Sequence, residues 1–542
     1  MIPPVGPENA PILLYAEMDK GVWPFQGRSG GLLNRLYSRL GWDRDSIRMV
    51  VAQEGDDGFW DQPSVMLAMG SLAVRNALRL PKKDFKLENW HGCPSGKIVP
   101  TFHPNHALTK PGMTGALLFD LKVAQDVLQR RWREEPAELI VDPPAEWFRE
   151  WVKGFLHCTS SWLAVDIETP QKMKAGKDEG KLEEDPSFEI IRINFSYNPD
   201  QGVTVPWAGQ YIPLIKMLLK AAQTTCYWNS RYDVPRLKAN DCPVGANPYD
   251  FMVAWHLLQS DLPKGLGFVA PFFSSFGPWK HLSGSDPGTY AAIDAVQTLR
   301  CARGIARDLE KGGQWEIFLR HFHDLDTYVL HPAEEVGLPV DETLLDAFGV
   351  KLEGKKREFL DKICSQVPPD ALALHPKKGW KKAKTKPFSV TYKRGKEKLV
   401  VEYQLADLME FKERWFVEAP FNPASNPQLL AYMKWKGDKG GKAKGAKTDA
   451  PSTNKLVLEG LAKKNPFYKD ILDFRAVTKV KGTYVDGTKR LIKADKRVHP
   501  SFLHTPSTFR LSCVGPNLQN VIADREGADS LAAGFKDCIV AA

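Results

Sequence analysis

Short apolar runs alternate with segments of helical periodicity along most of this chain. Pro11-Ile12-Leu13-Leu14-Tyr15 and Met49-Val50-Val51-Ala52 read as strands. Gly30 to Leu40 and Ser64 to Leu80 read as amphipathic helices, so residues 1–136 form one α/β unit. A proline-bearing linker, Pro136 to Pro144, leads to a helix near Trp147 to Phe155. The run Leu163-Ala164-Val165-Asp166-Ile167-Glu168-Thr169 then reads as a buried strand. Beyond a charged insert, Gln171 to Asp185, Glu189 to Tyr197 and Val203 to Trp207 predict a hairpin, and Pro213 to Ala222 a helix. Asn229 follows a further strand, and Asp233 enters a helix whose first turn tolerates Pro235. Pro248-Tyr249-Asp250 opens a helical run through Leu258. Asp286-Pro287 is an N-cap with proline in the first turn of a helix that carries Tyr290 and Asp294 on one face. From Glu316 the pattern turns helical, with a long helix over Glu342 to Val367.

Asp166 and Glu168 interrupt an apolar strand two residues apart, so they point to one face of a sheet. Adjacent carboxylates repel and are costly to bury, and hard divalent cations such as Mg²⁺ or Mn²⁺ offset that cost. A strand end with solvated acids is the other reading of the triplet taken alone.

Composition narrows the classes. The 542 residues, 43% hydrophobic and 26% charged, are those of a globular protein of about three to four domains. No apolar run reaches membrane-spanning length, and Met1-Ile2-Pro3-Pro4 lacks the pattern of a secretion signal. The eight cysteines form no C-x-x-C pair, which argues against a zinc site or a disulfide framework and fits a reducing cytoplasm. The net charge of +9 is unevenly spread. Lysines crowd the C-terminal third, interleaved with aromatics from Lys377 to Arg394 and with glycines from Lys436 to Lys447, a pattern suited to a polyanionic partner or to a solvated loop.

Three resemblances add to this reading. Pro24-Phe25-Gln26-Gly27-Arg28-Ser29-Gly30 and Val99-Pro100-Thr101-Phe102-His103-Pro104-Asn105 resemble the uracil-DNA glycosylase superfamily, in which the His103 position belongs to the active site. The sequence departs from that pattern. Tyr15-Ala16-Glu17-Met18-Asp19 replaces the family's G-E-x-P-G loop, the uracil-reading Asn is either replaced by Gln53 or absent, and Cys93 is the sole cysteine before Cys158. The resemblance therefore implies a glycosylase-like fold kept for DNA binding or domain packing, with His103 inactive in base excision.

The order D-x-E on a strand, N-x-x-x-D, then Y-x-x-x-D on a helix resembles the DnaQ-like proofreading 3′–5′ exonucleases over about residues 150 to 315. That resemblance implies that Asp166, Glu168, Asp233 and Asp294 hold two Mg²⁺ or Mn²⁺ ions and that Tyr290 orients the attacking water. Asn229 and Asp250 either organise the site, with Asn229 meeting DNA, or only cap helices.

Phe421-Asn422-Pro423-Ala424-Ser425-Asn426-Pro427-Gln428-Leu429, Pro451 to Lys455, Arg475 to Tyr484 and Thr508-Phe509-Arg510-Leu511-Ser512-Cys513-Val514-Gly515-Pro516-Asn517-Leu518-Gln519-Asn520 resemble family A DNA polymerases. Phe509 replaces a Gly of the last motif and Cys513 a Ser. The resemblance implies that Arg510, Asn517 and Gln519 contact the duplex and that Lys479 and Lys481 contact phosphates. Gly534 to Ala542 resembles the strand leading to the first palm aspartate. A split gene, a split intein or a truncated sequence would each produce such an end.

The resulting expectation is a multidomain α/β chain. A glycosylase-like α/β domain covers 1–136, a ribonuclease H-like mixed-sheet exonuclease 145–315, and a mainly helical thumb with an incomplete palm 316–542. Expected partners are primer–template DNA, single-stranded 3′ ends and a second chain carrying the rest of the polymerase, with no membrane. The composite layout resembles phage-encoded polymerases, which places the protein in a bacterial or host cytoplasm. A free-standing 3′–5′ exonuclease with a DNA-binding clamp is the alternative function, and a DNA-binding scaffold without chemistry a third.

Overall fold

The computed structural model describes residues 4–17, 27–54, 63–83, 85–158, 162–170, 189–368, 380–382, 389–394, 397–402, 408–410, 415–418, 421–438, 452–520 and 533–539. The chain divides into two compact units. The first comprises Met1–Val329 with His504–Leu511, and the second Leu330–Leu503 with Ser512–Ala542.

The first unit holds two sheets. One is four-stranded and wholly parallel, in the order β2-β1-β3-β4, with β1 at Ile12–Ala16, β2 at Ile47–Val51, β3 at Val65–Met69 and β4 at Ile98–Thr101. Helices α1 (Gly27–Leu40), α2 (Ser71–Leu78), α3 (Pro104–Thr109) and α4 (Met113–Leu128) accompany it. The single helix expected over Ser64 to Leu80 is two elements, β3 and then α2. Val65-Met66-Leu67-Ala68-Met69 is buried throughout and lies between β1 and β4. A strand buried on both faces has no polar alternation, so its apolar run mimics a helix face. Gly70 makes the break at φ 96, and a Cβ there would lie 2.8 Å from the Glu17 carboxyl. The turn before Gly27, at 18–26, and the whole of the insert, within 171–188, lie outside the described residues.

The second sheet is mixed and six-stranded, in the order β10-β9-β6-β7-β8-β5. Its strands are β5 (Glu138–Val141), β6 (Leu163–Glu168), β7 (Arg192–Asn198), β8 (Gln201–Pro206), β9 (Thr224–Tyr227) and β10 (Asn247–Asp250). β7 runs antiparallel to β6 and β8, and the other pairs are parallel. Leu163, Val165 and Ile167 face one core together with Phe148, Val152, Ile215 and Leu218, from helices α5 (Ala145–His157) and α6 (Ile212–Ala221). Ala164, on the opposite face, packs in another core with Ile293 of a 25-residue helix, Pro287–Lys311. Gly202 permits that helix to lie close on β8, since a Cβ there would stand 2.3 Å from the Ala292 carbonyl oxygen.

A buried polar bridge ties this half of the unit to the N-terminal half. His91, Thr101 and Asp120 are fully buried. His91 Nε2 donates to the Phe268 carbonyl at 2.8 Å, and its Nδ1 lies 3.0 Å from Asp120 Oδ1. Thr101 donates to the other Asp120 oxygen at 2.7 Å. Buried polar groups of this kind are tolerated because each has a partner.

In the second unit, Asp341 caps the helix Glu342–Cys364 through the amides of Thr343 and Leu344 at 2.8 and 2.9 Å. Helices Asn426–Lys436, Lys455–Ala462 and Pro466–Val480 follow, with Ile363, Leu429, Leu458 and Ile471 in a shared core. The expected mainly helical character needs amending. Ser389–Arg394 pairs with Glu397–Glu402, and Trp415–Glu418 pairs with both Trp380–Lys382 and Leu408–Glu410. The lysine-rich stretch thus contributes backbone to strands, which charge composition does not reveal. Ala533–Lys536 is helical where a strand was expected, and Ile539 makes one bridge to Val340. Residues 439–447 of the second lysine run and 540–542 lie outside the described residues.

Candidate active site

Strand alternation places Asp166 and Glu168 on the face of β6 opposite the Leu163, Val165 and Ile167 core. Asp294, on the long helix, completes the cluster. One oxygen from each of Asp166, Glu168 and Asp294 lies within 4.8 Å of the others. Asp233, in the first turn of α7 (Ser230–Ala239), is buried beside them, and its Oδ1 accepts from the Ile167 amide at 3.1 Å. It is thereby held to the backbone between the two strand acids.

Packing acids this densely changes their protonation. Burial and then Asp294 push Asp166 up to about 7. Burial, Asp166 and Asp294 push Glu168 up to about 8. Burial and Asp166 raise Asp233 well above the usual carboxylate range. Burial and the charges of Asp294, Asp166 and Glu168 keep the Tyr290 hydroxyl protonated far above its ordinary value. These are the effects expected of like charges sharing a poorly solvated site.

Three residues that the sequence did not single out hold the acids. Asn194 on β7 donates to Asp166 Oδ2 at 2.8 Å. Trp279 Nε1 donates to Asp294 Oδ1 at 2.6 Å. Lys280 donates to both Asp294 oxygens, at 2.7 and 2.8 Å, and to the Tyr290 hydroxyl at 3.1 Å. The polar alternation Arg192, Asn194, Ser196 marks a sheet face, but only the β6–β7 register pairs Asn194 with Asp166. Trp279 and Lys280 lie before the helix that carries Asp294, on no shared periodicity with it.

Asn229 takes a left-handed conformation, φ 73, at the end of β9. Asp250 stabilises that turn. Its carboxylate accepts from the amides of Asn229 and Ser230, at 3.1 and 2.9 Å, and from the Ser230 hydroxyl at 3.1 Å. It also caps the helix Phe251–Leu258 through the Met252 amide at 3.0 Å. Asp250 therefore both caps a helix and shapes the approach to Asp233. In the other sheet, His103 caps α3, its Nδ1 accepting from the Asn105 amide at 3.2 Å. Glu17 accepts from the Leu72 amide at the start of α2.

Residues 395–541 match the family described as DNA polymerase family A. Over that segment the chain is similar to family A DNA polymerases. A stretch of 76 residues is 45% identical to DNA polymerase I of Streptococcus pneumoniae, covering 14% of this chain and 9% of that protein. A stretch of 120 residues is 36% identical to the thermostable DNA polymerase I of Thermus thermophilus, covering 21% of this chain and 14% of that protein. The matched stretches thus span about a tenth of these relatives' length. The fold is similar to the POL domain of Pol1 from M. smegmatis, solved in complex with DNA primer-template and dNTP. The TM-score is 0.52 and the identity 17%, over 74% of this chain and 58% of that one.

Within the family A segment, Arg475 joins three of the motif stretches. Its guanidinium donates to the Pro423 and Thr453 carbonyls, each at 3.0 Å, and to Asn426 Oδ1 at 3.1 Å. Of the expected DNA contacts, Lys479, Arg510 and Gln519 are exposed, whereas Asn517 is half-buried. Lys481 is occupied within its own unit, 3.1 Å from each Asp486 oxygen and 3.6 Å from Glu353. Phe509, at the position of the family's glycine, has φ 57.

Proposed function

We propose that residues 145–315 form a 3′–5′ exonuclease that proofreads for a family A DNA polymerase, DNA replication being the shared task. The observation that carries this reading is the convergence of Asp166, Glu168 and Asp294 within 4.8 Å, drawn from a strand and a distant helix. Four hard oxygen donors of one charge, counting Asp233, suit two Mg²⁺ or Mn²⁺ ions and no soft metal. When bound, such ions supply an activated water and charge stabilisation for the leaving 3′ oxygen.

The protein's own groups have separate tasks. Asn194 and Trp279 fix the orientation of Asp166 and Asp294 by hydrogen bonds that leave other carboxylate lone pairs open. Tyr290 keeps its proton, so its hydroxyl can donate to or accept from an attacking water without ionising. Asn229, in its left-handed turn next to the acids, is a contact for a single-stranded 3′ end.

In the same reading residues 1–136 are a glycosylase-like domain without base excision. Residues 316–542 are the thumb and part of the palm, with Lys479, Arg510, Asn517 and Gln519 against primer–template DNA. Lys481 is assigned here to the same surface, on condition that DNA competes with Asp486 for its ammonium.

The test is digestion of 3′-labelled single-stranded DNA with Mg²⁺ or Mn²⁺. We expect Asp166→Ala to abolish digestion while DNA binding stays near the wild-type level. Undiminished digestion in that variant would remove the site assignment. Primer extension, measured with and without a chain supplying a family A palm and fingers, tests the polymerase part. Extension confined to the mixture supports it, and none in either arm favours the free-standing exonuclease.

A further inference from the structure

Lys280 is the charged partner of Asp294 in a site built of acids. Its Nζ bridges both Asp294 oxygens at nearly equal distance, 2.7 and 2.8 Å, and turns toward the Tyr290 hydroxyl at 3.1 Å. An ammonium has three donors, and these three contacts use all of them. The Nζ also lies 4.9 Å from the centre of the Tyr290 ring, on whose face a cation is favoured. Asp294 Oδ1 accepts a further bond from Trp279 at 2.6 Å. The lysine therefore occupies the carboxylate that completes the acidic cluster, and its positive charge reaches the Asp166 and Glu168 carboxyls as well.

A second cation cannot share Asp294 on equal terms with this one. Either ion would have to approach the same two oxygens, and like charges at that spacing repel strongly where water is scarce. Lysine is the side chain suited to such an exchange. It is a point charge on a flexible stem, and its side chain is 19% exposed, so it has solvent to move toward. Trp279 remains to hold Asp294 in orientation once the lysine has left.

We propose that Lys280 is a positioning residue that acts as a tethered counter-cation, holding Asp294 in the ion-free site and competing with the divalent ion for it. The inference rests on the exonuclease reading of the same acids. Lys280 thereby sets the concentration of divalent ion at which the site fills. Without it the acids would repel one another in the absence of metal and would bind an ion more tightly in its presence.

The experiment is Mn²⁺ binding to the full chain without DNA, followed by electron paramagnetic resonance of the free ion, for wild type, Lys280→Met, Lys280→Arg and Asp166→Asn. We expect Lys280→Met to bind Mn²⁺ about tenfold more tightly than wild type, within the range usual for coupled sites, and Lys280→Arg to stay near wild type. Thermal unfolding is the second readout, independent of activity. In chelator, Lys280→Met should melt below wild type, and Mn²⁺ should raise its Tm by more than it raises that of wild type. Lys280→Gln serves if the methionine variant does not fold. Equal or weaker Mn²⁺ binding in the neutral variants, with Asp166→Asn still removing the bound ion, would overturn this inference alone. Binding that survives Asp166→Asn would place the ion elsewhere and overturn the exonuclease reading with it.

Discussion

The side-chain amide of Asn194 donates to Asp166 at 2.8 Å while its own oxygen accepts from the Thr204 hydroxyl at 2.6 Å. Thr204 in turn accepts from Arg192 at 3.1 Å, and Arg192 grips both Asp142 oxygens at 2.6 and 3.0 Å. A chain of hydrogen bonds thus crosses three strands and ends on a strand carboxylate. Asn194→Leu removes the last link at similar volume and leaves the Thr204 hydroxyl without its acceptor. We expect divalent-ion affinity and single-strand digestion to fall about 10- to 100-fold, as for other residues that orient ligands. Single-turnover digestion across a Mn²⁺ titration checks it, and rates equal to wild type at every concentration would show that Asp166 is held without Asn194.

The raised carboxyls carry a pH dependence whose sign follows from their direction. A carboxyl raised in the folded state binds its proton there more tightly than in the unfolded chain. Its contribution is therefore full in acid and is lost as pH rises from the ordinary carboxylate range through the folded value. For Asp166 and Glu168 that loss ends near the values of about 7 and about 8 set by burial and mutual repulsion. In chelator, the Tm of wild type should drop more between about pH 5 and about pH 8 than that of Asp166→Asn. Mn²⁺ should stabilise wild type at the upper pH and scarcely at the lower, because the ion must displace those protons. Parallel melting curves for the two proteins across this range would contradict the assignment of the titrating group.

The His91–Asp120 pair is fully buried, with Phe268 and Thr101 supplying its remaining bonds. Removing one member strands the other in a site without water. Asp120→Ala should cost about 3–5 kcal/mol, read as a lower urea midpoint. The double replacement His91→Leu with Asp120→Leu should cost less than the two single changes added together, because the pair is coupled. Additive losses would mean that the two side chains contribute independently.

Phe509 holds a left-handed backbone, φ 57, and its ring lies 5.1 Å from that of His256 and 6.3 Å from that of Phe322. Two effects oppose each other there, ring packing and backbone strain. Comparing Phe509→Ala with Phe509→Gly cancels the first, since both remove the ring. The glycine variant should be the more stable by about 1–2 kcal/mol, the strain an L-residue bears in this conformation. Calorimetry of the two variants measures the difference, and equal stability would show that the segment relaxes to negative φ once the ring is gone.

The parts of this protein whose physics is local are legible in its amino-acid order. Alternation along β6 places Asp166 and Glu168 on one face. The single helical turn between Tyr290 and Asp294 makes them neighbours, and Asp286-Pro287 marks where that helix begins. The apolar run of β3 reads as part of a helix because a strand buried on both faces shows no period of two. The rest follows from contacts made only on folding. The joining of Asp294 to the strand acids, the Asn194 link across the β6–β7 register and the seating of Lys280 on Asp294 all depend on contacts between elements distant in sequence. Periodicity reports which face a residue occupies. It carries no information on which other face will meet it, and that meeting, with the desolvation it imposes on four acids, gives the site its chemistry.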